Sequence, residues 1–110
     1  MNSLDLTLEI LADVKLIDQV VYEVKDTQPF HDYIVIATAT NTRQLQACLR
    51  RFKDLEAKQH SLLMEGSTGS SWVLIALEDV VIHLFTKEDR EYYDLEKLWF
   101  DRPHWSVEAA

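Results

Sequence analysis

Residues 72–85 carry the strongest structural signal of the sequence; they read Trp-Val-Leu-Ile-Ala-Leu-Glu-Asp-Val-Val-Ile-His-Leu-Phe. Two six-residue runs, 72–77 and 80–85, are separated by two acidic residues. This spacing is typical of two antiparallel strands joined by a tight turn. Continuous apolar runs of this length are typical of strands buried in a sheet. We therefore predict a buried β-hairpin in the second half of the chain.

The elements before the hairpin are predicted from similar patterns. Residues 18–24 alternate as in a half-exposed strand, residues 33–37 form a continuous apolar run, and residues 61–64 can form a short strand. The segment that begins at Ser3 fits both a strand and a helix pattern. A helix is favoured because Ser3 can cap it and acidic residues occupy its first turns.

Two further helices are predicted, one on each side of the hairpin. Asn41 is a good cap with Gln44 three residues on, and the helix that follows has one apolar stripe: Leu45, Cys48, Leu49, Phe52 and Leu55. A last helix is expected to begin at Thr86 and to end at Arg102-Pro103, with the stripe Tyr92, Leu95 and Trp99. The predicted order is α-β-β-α-β-β-β-α. The fold class is therefore α/β (α+β), a mixed sheet of about five strands with flanking helices, in a single domain over residues 1–110.

The charge of the chain restricts its partners. Its 110 residues include 19 acidic and 11 basic ones, a formal net charge of −8. This acidity argues against proteins that grip nucleic acid or anionic membranes, and it favours a basic protein partner. The longest apolar run is too short to span a membrane. With one cysteine, Cys48, and no leader pattern, the sequence predicts a cytoplasmic protein.

The negative charge is concentrated at the two ends of the chain. Residues 1–40 carry seven acidic and two basic residues, and residues 78–110 carry nine and four, whereas residues 41–77 carry three and five. We expect an acidic surface that includes the last helix to face a basic partner. The helix near residues 41–58 is then expected to lie towards RNA or solvent.

No catalytic or metal-binding pattern is recognised. The glycine-serine loop 66–71 lacks the ending of a phosphate-binding loop, and Glu78-Asp79 is better explained as a solvated turn than as a metal-binding pair. His83 interrupts an apolar run and is predicted to be a hydrogen-bonded core residue. The four histidines lack zinc-binding spacing: His31, His60, His83 and His104. No cofactor, metal or catalytic residue is therefore predicted.

Two aromatic residues are candidate binding anchors. Trp72 lies where a polar loop enters a strand, and Tyr93 lies off the stripe of the last helix. Both types offer a large rigid surface with one polar atom. Taken alone, each is explained equally well as a cap on the core.

Three ordered segments resemble the ribosomal silencing factor family (RsfS, also called Iojap-like). In the second half they are Trp72-Val-Leu-Ile, Asp79-Val-Val-Ile-His-Leu-Phe and Arg90-Glu-Tyr-Tyr-Asp-Leu-Glu-Lys-Leu-Trp. Upstream, Asp32-Tyr-Ile-Val-Ile-Ala-Thr, Thr40-Asn-Thr-Arg-Gln and Glu65-Gly66 are similar to the family's strand, helix and turn. The resemblance spans the chain except its last few residues.

The resemblance implies a mixed-sheet domain related in fold to nucleotidyltransferases but without catalytic residues. It implies a non-enzymatic factor that binds the large ribosomal subunit, chiefly through the large-subunit protein numbered fourteen. Such factors block joining of the small subunit and lower translation, and some take part in large-subunit maturation. The resemblance also implies a possible homodimer, whereas little direct nucleic-acid binding and no membrane contact are expected from the acidic charge of the chain.

The residues that match the family's motifs are candidate partner contacts: Trp72, Tyr93, Glu65, Asp79 and, more weakly, Arg90. Three positions depart from the family pattern, which has glycine at Ala39, aspartate at Ala76 and glycine at Glu78. If the hairpin turn requires a positive φ, Glu78 is expected to be strained.

Two other functions remain open at this point. One is a metal-dependent nucleotidyltransferase-like enzyme that uses residues 69–70 and Glu78-Asp79. The absence of two alternating carboxylates on one strand argues against it. The other is an acidic adaptor with a different protein partner, which is what composition alone supports.

Overall fold

A six-stranded mixed sheet organises the computed structural model, which describes residues 2–66 and 70–107. The strands are β1 (Ile17–Glu23), β2 (Tyr33–Ala39), β3 (Leu62–Glu65), β4 (Trp72–Leu77), β5 (Val80–Thr86) and β6 (His104–Val107). They lie in the order β3-β4-β5-β2-β1-β6. β2 and β5 are parallel at the centre, and the other neighbours are antiparallel. The predicted mixed α/β fold is confirmed, with one strand more than expected.

Three α-helices accompany the sheet: α1 (Ser3–Asp13), α2 (Thr42–Ala57) and α3 (Lys87–Tyr93). The apolar stripes of α1 and α2 pack on one face of the sheet, which we call the inner face. The five predicted stripe residues of α2 are all buried there. Their partners include Val35, Ile75 and Ile82, which are fully buried. This layer forms the main hydrophobic core of the described residues.

The side chain of Gln44 connects the end of α1 to the start of α2. As predicted, the Asn41 side chain caps α2 by accepting a hydrogen bond from the backbone N–H of Gln44 at 2.8 Å. The Gln44 amide group donates to the carbonyls of Val14 and Lys15 at 3.0 and 2.9 Å. Its oxygen accepts from the backbone of Thr40 at 2.7 Å. One polar side chain therefore satisfies backbone groups at both helix ends.

The first segment is helical, as favoured, but its cap differs from the prediction. The cap is Asn2, whose side-chain oxygen accepts from the backbone N–H of Asp5 at 2.8 Å. Ser3 is the first helical residue, and its hydroxyl donates to the Glu78 carboxylate at 2.7 Å. This long-range bond explains the difference, because it draws Ser3 away from capping its own helix.

The prediction of one continuous last helix is wrong. The helix ends at Tyr93, Asp94 adopts a left-handed conformation (φ 47°, ψ 51°), and a 3₁₀ turn covers Leu95–Leu98. The change of direction lets Leu95 and Trp99 pack on the outer face of the sheet, the face opposite α1 and α2. Tyr92 does not join them and is 82% exposed. The Thr86 side chain makes no capping hydrogen bond.

The strand β6 was not predicted, since its four residues show no clear alternation. It pairs with β1 at the edge of the sheet, where Trp105 lies opposite Val21. The loop 66–71, considered above as a phosphate-binding loop, falls partly outside the described residues at 67–69.

The turn between β4 and β5 contains a residue with a positive φ, the condition under which the sequence predicts strain at Glu78. Glu78 has a φ of 53°, although it is not glycine. Its carboxylate accepts from the Ser3 hydroxyl and contacts Nδ1 of His60 at 3.2 Å. The hydrogen bonds from Ser3 and His60 lower the pKa of Glu78. The side chain thus supplies tertiary contacts that a glycine lacks.

We predict that Glu78→Gly melts about 5 °C higher than Glu78→Ala. Both variants lose the carboxylate contacts, but only alanine retains a side chain in the left-handed region. Thermal unfolding followed by circular dichroism measures the difference. Equal melting temperatures would show that the turn is not strained.

Candidate protein-interaction surface

The outer face of the sheet is covered on one side only. The 3₁₀ turn and Trp99 cover the β1–β2 side, where Tyr22, Ile34 and Ile36 are buried. On this outer face, Tyr93 of α3 packs on Trp72 of β4, and no described helix lies over β3 or over Leu74 and Ala76. We call the uncovered part the open face; its apolar residues are Leu63, Leu74, Ala76, Val81 and Trp72.

Strand register places three of these residues in one row. Leu63 lies opposite Ala76, and Ala76 lies opposite Val81. Leu63 is 60% exposed and the other two are half-buried. Apolar side chains thus form a continuous exposed patch, and such patches on a folded domain are typical of protein-binding surfaces.

The sequence prediction that residues 72–77 form a buried strand holds for only one face of the sheet. In β4, burial alternates, with Val73, Ile75 and Leu77 buried and their neighbours only half-buried. An unbroken apolar run on a strand with one covered face leaves apolar side chains on the other face. This excess of apolar residues in β4 is the sequence signal for the open face. Leu63 carries no such signal, because its strand is only four residues long.

An aromatic cluster forms the boundary between the open and covered parts. The ring centroid of Trp72 lies 5.1 Å from that of Phe85 in a stacked arrangement and 4.6 Å from that of Tyr93. Trp99 packs against His83 at 6.1 Å from the covered side. Tyr93 remains 42% exposed, and Trp72 is half-buried. Both candidate anchors are thus fixed by neighbouring rings and still accessible.

His83 is a hydrogen-bonded core histidine, as predicted. It is 7% exposed, and its Nδ1 accepts a hydrogen bond from the indole N–H of Trp72 at 3.2 Å. Burial lowers the pKa of His83 to about 4, so the ring is neutral near neutral pH. A neutral ring is required, because a protonated Nδ1 could not accept this bond. His83 therefore orients Trp72 rather than acting as a proton carrier.

Arg90 fixes the segment that carries Tyr93. Its guanidinium donates to the Glu96 carboxylate and the Thr38 hydroxyl, both at 2.8 Å, and to the backbone carbonyl of Asp18. Its side chain is only 13% exposed. Arg90, a candidate partner contact in the sequence, therefore binds groups within the described part of the domain. These contacts suit a residue that positions Tyr93.

Glu96 and Tyr22 extend the Arg90 contacts across the sheet. The hydrogen bond from Arg90 lowers the pKa of Glu96. The Tyr22 hydroxyl donates to Glu96 at 3.3 Å, and burial together with this carboxylate raises the pKa of Tyr22 to about 12. Both groups therefore keep one protonation state over the physiological range.

The sequence candidates fall into two groups in space. Glu65 is exposed and lies opposite Leu74, on the same face of the sheet as Trp72, against which Tyr93 packs. Asp79 lies at the far end of the β4–β5 hairpin, roughly 20 Å away by strand rise. The open face therefore brings together three of the five candidates.

Three features of the described residues bear on other kinds of function. They contain no group of three or more histidine, cysteine or acidic side chains able to hold a metal ion. Cys48 is buried in the inner core, and burial raises its pKa to about 12, which disfavours the reactive thiolate. None of the described helices could cross a membrane.

Comparison with known proteins places the fold in one family. The family model described as ribosomal silencing factor during starvation matches residues 1–110. A ribosomal silencing factor of Halalkalibacterium halodurans is 35% identical over 97% of this chain and 93% of its own. That of Bacillus subtilis is 44% identical over 66% of this chain and 63% of its own length.

More distant relatives and solved structures agree. A mouse protein named mitochondrial assembly of ribosomal large subunit protein 1 is 32% identical over 87% of this chain and 44% of its own length. A crystal structure from Bacillus halodurans superimposes with a TM-score of 0.77 at 34% identity, covering 96% of this chain and 95% of that one. One from Chromobacterium violaceum gives 0.80 at 28% identity, covering 100% and 97%.

The stability of the protein is expected to fall in acid because of His83. Between pH 6.5 and about 4 the unfolded chain takes up a proton at this position and the native state does not. Unfolding free energy therefore decreases as the pH falls through this window, by up to about 1.4 kcal/mol per pH unit. Urea unfolding at several pH values, compared with His83→Gln, measures the contribution. If the unfolding free energy of the wild type falls with pH no more steeply than that of the variant, His83 is not the cause.

Replacing Arg90 by glutamine is expected to lower the free energy of unfolding by about 2 kcal/mol, because Glu96, the buried Thr38 hydroxyl and the Asp18 carbonyl lose their donor. Lys87→Gln is the matched control, since Lys87 is exposed on the same helix, and its effect should stay below about 0.5 kcal/mol. Urea unfolding measures both. Similar values for the two variants would mean that Arg90 does not hold the C-terminal segment.

Proposed function

The chain belongs to the ribosomal silencing factor family, and from this we propose that it binds the large ribosomal subunit and sterically blocks joining of the small subunit. Its main contact is proposed to be the large-subunit protein numbered fourteen, in the cytoplasm. The observation that carries the proposal is the open face, an exposed apolar surface with rigid aromatic anchors. This function requires a binding surface and no chemical step.

The composition of the open face suits a protein partner. Leu63, Ala76 and Val81 supply flat apolar area, and Trp72 and Tyr93 supply rigid rings with one polar atom each. Aromatic residues of this kind often dominate the energy of protein interfaces. Where the family has an aspartate, Ala76 makes the centre of this surface more apolar.

Acidic residues outnumber basic ones on the elements that border the open face. Glu65 is exposed on β3, and α3, which carries Tyr93, exposes Glu88, Glu91 and one basic residue, Lys87, while its Arg90 is turned inwards. Ribosomal proteins that contact RNA carry positive charge, so an acidic rim favours encounter with them. The same rim disfavours binding of the open face to bare RNA. The charge pattern therefore supports recognition of a basic protein on the subunit surface.

The names of relatives support the large subunit as target. The mouse relative is named for assembly of the mitochondrial large ribosomal subunit, and several bacterial relatives are named ribosomal silencing factors. A factor that occupies a subunit face can silence translation by exclusion. A part in large-subunit maturation is compatible with the same binding surface.

Leu63→Lys is expected to weaken binding to purified large subunits at least about tenfold, because it places a charge in an apolar contact that faces a basic partner. The matched control is Trp105→Lys, because Trp105 is 42% exposed on β6, at the opposite edge of the sheet from β3. Co-sedimentation with large subunits measures both. Equal loss in the two variants would reject the open face as the binding surface.

Saturating wild-type protein is expected to reduce the reassociation of purified large and small subunits in a sucrose gradient. The Leu63→Lys variant is expected to leave reassociation at the level seen without added protein. The physical reason is steric, so the effect should follow occupancy of the large subunit. Undiminished 70S-type peaks at full occupancy would reject the blocking function and leave large-subunit binding intact.

A further inference from the structure

Strand β3 forms one edge of the sheet, and its outer side has no pairing strand among the described residues. Its other side pairs with β4 without interruption, from Leu62 opposite Leu77 to Glu65 opposite Leu74. Sheet edges are normally protected against further pairing by a lysine, a proline or a bulge. The strand β3, with the sequence Leu-Leu-Met-Glu, has none of these. Only its length of four residues limits how much chain can pair there.

The pairing with β4 decides which backbone groups of β3 face this free edge. The carbonyl of Ser61 accepts a hydrogen bond from the backbone N–H of Glu78 at 3.2 Å, so the backbone of Ser61 faces β4. Backbone groups along an antiparallel strand point to alternate sides. The N–H and C=O groups of Leu63 therefore also face β4, whereas those of Leu62 and Met64 face outwards. None of the described residues hydrogen-bonds to these outward groups, so two donors and two acceptors are available along the edge.

Apolar side chains flank the free edge on both faces of the sheet. Leu63 is 60% exposed on the outer face and ends the apolar row that continues through Ala76. Leu62 and Met64 are half-buried on the inner face, where they pack against the main core. Glu65 is exposed at the end of the strand and adds a negative charge beside them. A strand added at this edge covers all three apolar side chains.

The free edge is continuous with the open face, which suits one partner for both. The row from Val81 through Ala76 to Leu63 runs straight to the edge, so a protein seated on the open face lies beside the unpaired backbone groups. Strand addition takes its affinity from main-chain hydrogen bonds and its selectivity from alternate side chains. In antiparallel pairing, a basic side chain suits the position opposite Glu65, and apolar side chains suit the next three positions.

We propose that the basic protein bound at the open face adds an extended segment antiparallel to β3, in which a basic residue is followed by three apolar residues. The backbone of this segment hydrogen-bonds to the outward N–H and C=O groups of Leu62 and Met64. Its middle apolar residue lies opposite Leu63 and lengthens the row on the outer face. The inference rests on the proposed function, because the occupant is the large-subunit protein that the open face recognises.

Met64→Pro tests the strand addition, because it removes an outward N–H and leaves the pairing of β3 with β4 intact. Proline is tolerated on an edge strand where its N–H side faces solvent. Met64→Ala is the matched control, since it also shortens the side chain but keeps the N–H. In co-sedimentation with purified large subunits, Met64→Pro should bind about tenfold more weakly than Met64→Ala, because a partner carbonyl loses its donor. The two free variants should melt at similar temperatures.

Ser106→Pro makes the same change at the other edge of the sheet. The carbonyl of Pro103 accepts from the backbone N–H of Glu23 at 2.9 Å and so faces β1. By the same alternation, the N–H of Ser106 on β6 faces away from β1. This variant should bind large subunits as the wild type does.

Equal binding by Met64→Pro and Met64→Ala would overturn the strand addition, and weaker binding by Leu63→Lys in the same assay would leave the proposed function standing. Hydrogen exchange of the wild type gives a second readout, in which the amides of Leu62 and Met64 should become protected on large subunits. Unchanged exchange of both amides in the bound protein would overturn the proposal. So would a dimer of the free protein that Met64→Pro dissociates in sedimentation, because the edge would then hold a second copy.

Discussion

The buried guanidinium of Arg90 determines how the C-terminal part of the chain crosses the sheet. It binds Glu96 in the 3₁₀ turn, the Thr38 hydroxyl on β2 and the carbonyl of Asp18 on β1. These contacts hold the 3₁₀ turn over the outer face of β1 and β2, so that the outer face of β3 and most of β4 stays uncovered. Because a buried cation without partners is very costly, the arrangement is strongly specified. The open face depends on this arrangement.

The open face combines two properties that are useful in a protein which acts by occupancy. Its anchors are already rigid, because Trp72 is held by stacked rings and by its hydrogen bond to a neutral His83. Little side-chain entropy is therefore lost when a partner binds. Its rim is acidic, which speeds encounter with basic proteins and discourages bare RNA. Affinity and choice of partner thus come from different parts of one surface, and no reactive group is involved.

Local sequence patterns predicted the helices and strands that are defined by a regular spacing of buried residues. The stripe of α2, the cap at Asn41 and the hairpin at 72–85 follow from periodicity and spacing, and all are observed. The break at Asp94 and the strand β6 depend on long-range packing. Nothing within either segment reveals that Trp99 must reach Tyr22, which it does at 5.9 Å between ring centroids. The same applies to Arg90, whose partners lie 6, 52 and 72 residues away.

Part of the candidate surface was also predictable and part was not. Trp72 and Tyr93 stand out by type and position, and the structure brings them together with Glu65. Asp79 matches the same motif but belongs to the other end of the hairpin, because strand length separates sequence neighbours in space. Leu63 becomes a candidate only through its register with Ala76. The sequence motifs thus identified the aromatic anchors. The rest of the open face is defined by the strand pairing of the sheet.

Side-chain footprinting with hydroxyl radicals, on the protein free and bound to purified large subunits, tests the central claim most directly. The account predicts that Leu63, Trp72 and Tyr93 become protected on binding, while Trp105, which is exposed at the opposite edge of the sheet, keeps its reactivity. Protection of Trp105 with unchanged reactivity at Leu63 and Trp72 would contradict it and assign binding to another face of the molecule.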